Sequence, residues 1–229
     1  MRTLAVFSRL ALARTNVDRY TVIMKSRGVA PRYESVLSPP VMERLRKVFR
    51  SMNMGMVLMW RMGLGRWADS WPSVAGRILV VEHRGRRTGS RYLTPLNFTP
   101  EGRSRYCLAA FGSKADWYRN VLVAKRLVLW LPDGRWTAVA VDVTGEAGSR
   151  SRIRQVLLDS GFAARAFGLN PKGMTDTEID SATSGYRLVR FDLADRCDES
   201  PADLSWVWFP IAAGAAAMGT AVVLRRRRP

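Results

Sequence analysis

Between residues 77 and 143 the chain is cut into short apolar runs by turn-forming sequences. No run there is long enough for a long helix. The runs at 77–83, 91–99, 104–111, 126–131 and 135–143 have strand length. Gly85-Arg86-Arg87-Thr88-Gly89, Pro100-Glu101-Gly102-Arg103 and Pro132-Asp133-Gly134 stand between neighbours as turns. A short helix is expected at 115–124, where Asp116 suits the positive end of the helix dipole. A second helix is expected at 149–160, and a last strand at 185–193. Antiparallel hairpins with one inserted helix imply a mainly β fold with short helices, a small barrel rather than a doubly wound sheet. The nucleotide signatures of such sheets are missing: no G-x-G-x-x-G follows a strand, and there is no Walker A sequence. With 229 residues there is room for one such domain plus extensions.

The first of these turns carries unusual chemistry. Two guanidinium groups, a hydroxyl and two glycines lie within five residues, a set that suits phosphate or polycarboxylate. A solvated hairpin with basic decoration reads the same way. The net charge of +18 favours an anionic partner: nucleic acid, an anionic membrane surface or a polyanionic ligand. Lysine occurs at only five positions, so the charge is nearly all arginine, and part of it reflects an Arg- and Ala-rich composition. Aromatics and basic residues are not interleaved into a nucleic-acid platform, so no nucleic-acid partner is expected. His83 is the only histidine, which excludes a multi-histidine metal site, and no metal is expected. Its place in a strand makes packing, or lining a site, its expected role. Cys107 and Cys197 form no C-x-x-C and suggest no disulfide framework.

The ends differ from the middle. Residues 1–40 form a basic, proline-containing extension, in which Met24 is an alternative start. In 41–67, Val48, Phe49, Met52, Met56, Met59, Trp60 and Leu64 recur at three- and four-residue steps, the pattern of an amphipathic helix. Its uncharged part, 51–60, is too short to span a bilayer. Packing on the core, a lid of Met56, Met59 and Trp60 over an apolar substrate, and a membrane-surface helix are all open. The expected division is an extension at 1–40, a helix region at 41–76, a barrel at 77–193, an acidic linker at 194–205 and an apolar tail at 206–229. Within the tail, 206–224 is nineteen residues without a charge, begun by Trp206 and Trp208 and followed by Arg225-Arg226-Arg227-Arg228. At about 1.5 Å per residue it nearly spans a hydrocarbon core of about 30 Å, with aromatics at one end and arginines at the other.

Three segments, spread over residues 45–193, resemble the deazaflavin-dependent nitroreductase (nitroreductase/quinone reductase) family. They are His83-Arg84-Gly85-Arg86-Arg87-Thr88-Gly89 with Thr94-Pro95-Leu96; Ala109 through Val121, with its Asp116-Trp117-Tyr118-Arg119-Asn120 helix; and Met174-Thr175-Asp176 leading to Tyr186-Arg187-Leu188-Val189. The resemblance implies a split β-barrel of the FMN-binding-like type and coenzyme F-420 (8-hydroxy-5-deazaflavin) as cofactor. It implies that Arg86, Arg87, Thr88 and Gly89 grip the coenzyme's anionic tail. Pro95, Leu96 and Asn97 would then flank the ring, and Phe111, Gly112, Ser113 and Lys114 would wrap the tail. Trp117, Tyr118 and Asn120 would seat that loop. The chain departs from the family pattern in having only Arg91 ahead of Thr94-Pro95-Leu96, and in a shorter loop before Trp117. The implied activity is hydride transfer from the reduced deazaflavin to a flat apolar acceptor such as a quinone or nitroaromatic. Tyr118 and Tyr186 are candidate proton donors, with a structural hydroxyl as the other reading. FMN or haem on the same barrel is an alternative, as is a non-enzymatic, basic, membrane-tethered binding protein. Pairing into a homodimer is a further expectation. The tail implies membrane association. The positive-inside rule applied to Arg225–Arg228 would put the barrel outside. The cytoplasmic cofactor that the resemblance implies puts it instead at the cytoplasmic face of the cell membrane, which is the expectation adopted.

Overall fold

Alternation along the strands divides their residues between two apolar clusters. Leu79, Val81, Leu127, Leu129, Leu131, Val189 and Phe191 belong to one buried cluster, whereas Val80 and Trp130 belong to another. Residues two apart share a face, so the first cluster fills a barrel and the second lies on its wall. The computed structural model describes residues 39–65, 76–124, 126–198 and 202–209. The strands are β1 (Ile78–Arg84), β2 (Arg91–Glu101), β3 (Ser104–Ala109), β4 (Leu127–Leu131), β5 (Gly134–Asp142) and β6 (Arg187–Cys197). They close antiparallel in the order β1-β2-β3-β6-β5-β4, with β1 pairing β2 on one side and β4 on the other. The helices are α1 (Pro39–Arg61), α2 (Asp116–Val123), α3 (Ser149–Asp159), α4 (Phe162–Ala166) and α5 (Asp176–Ala182). The chain is thus the mainly β barrel that its sequence implies.

Several boundaries move, each for a local reason. β3 stops at Ala109 rather than 111, because Gly112 turns the chain at φ +59° into a single 3₁₀ turn, Gly112–Lys114. The last strand runs on to Cys197, into the acidic stretch expected to be a linker. An irregularity between Trp136 and Ala138 lets Arg135 and Trp136 pair with Cys197 and Arg196. α5 was not foreseen. Its capping box is complete: Thr175 accepts from the Glu178 backbone at 3.3 Å, and Glu178 accepts from the Thr175 backbone at 2.8 Å.

α1 ends in a Schellman motif. Leu64 N donates to Met59 O and Gly63 N to Trp60 O, both at 3.0 Å, with Gly63 at φ +85°. The segment 202–209 hooks onto this end: Leu204 N donates to Arg61 O at 2.9 Å and Trp208 Nε1 to Met62 O at 2.9 Å. Arg61 grips Asp203 with Nε and Nη2, at 2.9 and 2.8 Å. The hook therefore satisfies carbonyls that a helix end leaves open.

Inside the barrel, α2 contributes Tyr118 and Val121 to the core. α3, α4 and α5 form a satellite cluster around Leu157, Ala164, Leu169 and Ile179. Among the described residues, no helix is long and apolar enough to cross a membrane. The extension before Pro39 and residues 210–229 lie outside the described residues; of the spanning segment expected at 206–224 only 206–209 is described, as part of the hook.

Candidate functional site

The β1–β2 turn is drawn tight by its own backbone. Gly85 N donates to Ser90 O and Gly89 N to Gly85 O, each at 2.8 Å. Gly89 takes φ +66°, with open space where a Cβ would stand. Thr88 Oγ1 accepts from Ser90 N at 3.3 Å. Arg86 is half-buried and turned onto α2. Its Nη1 donates to Asp116 Oδ1 at 3.0 Å and to Asn120 Oδ1 at 3.1 Å, and its backbone N donates to the same Asn120 oxygen at 3.2 Å. One arginine of the pair is thus a latch onto α2. Arg87, Thr88 and Gly89 are exposed, and Arg87 has no ion-pair or hydrogen-bond partner among the described residues.

The latch continues inward. Asn120 is buried, and its Nδ2 faces His83 Nδ1 at 3.4 Å. With Oδ1 taken by two donors from Arg86, the amide presents only N–H groups to the imidazole. Nδ1 is then an acceptor, and Nε2–H donates to Thr94 Oγ1 at 3.0 Å. Burial holds the His83 imidazole below its ordinary 6.5, against a smaller opposing pull from the Arg84 backbone. Tyr92 stacks over the ring at 5.8 Å. Both ring nitrogens are engaged, which leaves this sole histidine poorly placed to ligate a haem iron. The relay Arg86–Asn120–His83–Thr94 leaves the Thr94 hydroxyl hydrogen free to point elsewhere.

Thr94 lines a cleft of about 480 Å³ between α1 and β2, together with Asn53, Met54, Val57, Leu58, Arg61, Tyr92 and Leu93. The cleft wall from α1 is not the one expected. Met56, Met59 and Trp60 pack with Val80, Trp130, Leu93 and Val128, and Trp60 is 1% exposed. They wedge the helix onto the barrel instead of roofing a cavity, because α1 is apolar on several sides and its largest side chain takes the deepest seat.

The other expected residues scatter. Leu96 packs against the barrel interior, Pro95 pairs with Val80, and Asn97 Nδ2 donates to Arg77 O at 3.3 Å. All three lie beyond Thr94, outside the cleft lining. Phe111 packs edge-on against Phe167 at 5.7 Å, and Gly112 is buried against the Gly185 carbonyl. Ser113 and Lys114 are exposed, two residues or so from the Asp116 that holds Arg86. Trp117 packs against the interior cluster. Tyr118 donates to Asp142 Oδ2 at 2.5 Å. Burial and then that carboxylate push the Tyr118 phenol up, so its proton is held, not offered. Tyr186 sits against the α3–α5 cluster, and burial pushes its phenol up to about 12. Neither tyrosine lines the cleft.

Arg91, the arginine ahead of Thr94, belongs to the wall. Its Nε and Nη2 donate to Glu82 at 2.7 and 3.0 Å, and Trp130 Nε1 and Arg135 Nη2 complete the same carboxylate at 3.0 and 2.9 Å. Burial pulls the Glu82 carboxyl upward, but the Arg91 and Trp130 hydrogen bonds outweigh it and hold the group below its ordinary range. Of the cleft lining, the sequence singled out Thr94 alone; Tyr92, Leu93 and the α1 residues Asn53, Met54, Val57, Leu58 and Arg61 were missed. Tyr92 and Thr94 were readable: they alternate out of the turn on the face that His83 shares across the β1–β2 pair.

The chain matches no protein-family model, and no curated protein matches it. Among solved structures it is similar to an F420-H2-dependent reductase, at 18% identity and TM-score 0.35, over 50% of this chain and 93% of that one. It is similar to the heme storage protein HutZ of Vibrio cholerae at 14% identity and TM-score 0.37, over 52% and 82%. A conserved hypothetical protein of Mycobacterium tuberculosis stands at 14% and 0.40, over 57% and 81%. Likeness at this level names neither a cofactor nor a reaction for this chain.

Proposed function

We propose that this protein is an oxidoreductase that holds a deazaflavin coenzyme along the start of β2 and passes a hydride to a flat apolar acceptor in the α1–β2 cleft. One observation carries the reading: an exposed basic turn and a partly apolar cleft are joined by four residues of one strand, Arg91 to Thr94. A ligand with an anionic tail and a planar apolar head needs that pairing of surfaces.

The residues that fit such a group are fewer than the sequence-based assignment named, and Tyr92 and Leu93 stand where Pro95, Leu96 and Asn97 were expected. Arg87, the Thr88 hydroxyl and the open backbone at Gly89 would hold the anion. Arg86 would hold the turn, not the ligand. When bound, the deazaflavin supplies the hydride. The chain's own part is positioning. Tyr92, on the face it shares with His83, would flank the ring at the start of β2; Leu93, with Met54, Val57 and Leu58, lines the acceptor's cleft and excludes water. Thr94, its oxygen already accepting from His83, keeps a hydroxyl hydrogen to donate to a polar atom of the bound molecule.

Fluorescence titration with oxidised coenzyme F-420, FMN and haem tests the reading. F-420 is expected to bind, and Arg87→Ala to weaken it at least tenfold, equivalent to about 1.4 kcal/mol. Thr94→Val is expected to leave binding within a few-fold and to lower the rate of hydride transfer. Binding of FMN or haem with none of F-420, or F-420 binding indifferent to Arg87→Ala, would overturn it.

A further inference from the structure

α1 carries a second apolar surface, which the cleft and the barrel wall do not use up. Arg44, Lys47, Val48, Ser51, Met54, Gly55 and Leu58 fall on one side at steps of three and four, and all are exposed. Met54 is 71% exposed, Val48 54% and Leu58 48%. A helix whose outer face carries its apolar residues in one half and two cations in the other is built for a boundary, not for bulk water.

At the C-terminal end of this helix stands the hook. Trp206 is 61% exposed and Phe209 78%, yet the segment is not loose. Arg61–Asp203, Trp208–Met62 and Leu204–Arg61 fasten it to the Schellman turn. Trp206 and Phe209 are therefore pinned at the protein surface with their rings largely in solvent, and Trp208 between them is 41% exposed. Tryptophan in such a place is the residue type that settles at the headgroup level of a bilayer. The chain then continues through 210–224 without one charged residue, and Arg225–Arg228 follow.

We infer that the outer face of α1 and the Trp206–Phe209 hook form one docking face for an anionic lipid bilayer. Lipid is favoured over a second copy of the chain by charge. A protein of net charge +18 repels its own copy, whereas Arg44 and Lys47 would each gain from an anionic leaflet. It is favoured over a peptide partner by continuity with the uncharged run that leaves Phe209. Met54 and Leu58 belong to both the docking face and the cleft, so an apolar molecule dissolved in the bilayer would reach the cleft without crossing water. The inference stands whether or not the cleft takes a deazaflavin.

The test uses the full-length protein with Cys197→Ser and one added cysteine bearing an environment-sensitive fluorophore. The positions are Met54, Phe209 and, as a control on α2, Val123, which is 66% exposed. Vesicles of phosphatidylcholine with and without phosphatidylglycerol are added. The probes at 54 and 209 are expected to brighten several-fold and shift to the blue with the anionic vesicles, and to be quenched by shallow nitroxide lipids. The probe at 123 is expected to stay unchanged. The pair Val48→Glu and Met52→Glu, outside the cleft, is expected to lower partitioning about tenfold. Co-sedimentation with the probe at 54 still in water would overturn the inference, since 210–229 would then anchor the protein alone. Shielding at 54 without lipid would also overturn it. Such shielding means a second copy if it grows with protein concentration, and the chain's own tail if it does not.

Discussion

Asn120 is 4% exposed, and both ends of its amide are committed. Replacing it by alanine would leave the Arg86 backbone N–H and the His83 Nδ1 without their partner in a largely dry place. Asn120→Ala is therefore expected to cost about 1–3 kcal/mol in urea unfolding, although the residue sits outside the barrel strands. His83 offers a cleaner readout, because it is the only histidine in the chain. Its folded pKa is depressed from 6.5 by burial. Below the unfolded value the unfolded chain takes up a proton that the folded chain refuses, so stability falls as pH drops through about 6.5, until the folded ring titrates as well. Above that pH the contribution is fully present. Tm measured from pH 7.5 to 5 is expected to decline on this account. His83→Gln is expected to remove part of the slope while lowering the plateau. The ring's ¹⁵N shifts are expected to show hydrogen on Nε2; hydrogen on Nδ1 would break the relay to Thr94.

At the scale of elements, α1 is held by one deep side chain. Trp60 fills the wall seat beside Val80 and Trp130, and its indole Nε1 is buried with no hydrogen-bond partner among the described residues. Trp60→Ala is expected to cost about 3–5 kcal/mol. Trp60→Phe is expected to cost much less, because no hydrogen bond goes with the indole. Gly112 makes the opposite demand: a Cβ there would stand 2.3 Å from the Gly185 carbonyl oxygen, at φ +59°. Backbone against backbone cannot give way, so Gly112→Ala is expected to be as damaging as the tryptophan truncation in the same urea measurement. These elements also show what was legible. The hairpins were, because their turns carry local chemistry. α1 was legible as a helix from its periodicity but not as to its faces, since methionine and other apolar residues occur on several sides and only the barrel decides which side is buried. The closing β1–β4 pairing, Val81 with Leu129, joins residues far apart and has no local signature. The latch of Arg86 was hidden for the same reason: Asp116 and Asn120 lie some thirty residues away, so the sequence shows two equal arginines where the fold makes one structural and one free.

For the molecule as a whole, the net charge of +18 is a standing cost that salt relieves. The ion pairs with a partner shielded from water, Glu82 with Arg135 above all, are screened less than the dispersed repulsion among exposed arginines. Raising sodium chloride from low to moderate concentration is therefore expected to raise Tm. That general effect depends only on ionic strength. A specific anion site adds a second effect, which saturates and depends on the ion: a ligand that binds only the folded chain stabilises by RT ln(1 + [L]/Kd). Phosphate at matched ionic strength is expected to raise Tm beyond chloride, adding about 2.7 kcal/mol of stability when it stands at a hundred times its Kd. The two terms separate by mutation. Arg87→Ala removes one charge of many and should barely change the chloride series, yet it should abolish the phosphate excess. Arg86→Ala would act differently. It frees the turn from α2, lowers Tm in every salt, and takes the phosphate excess with it because the turn loses its shape. A phosphate excess that survives Arg87→Ala would move the anion site away from the β1–β2 turn. It would then fall to the exposed arginines elsewhere, and the cleft would lose the basic end that makes it fit a ligand with an anionic tail.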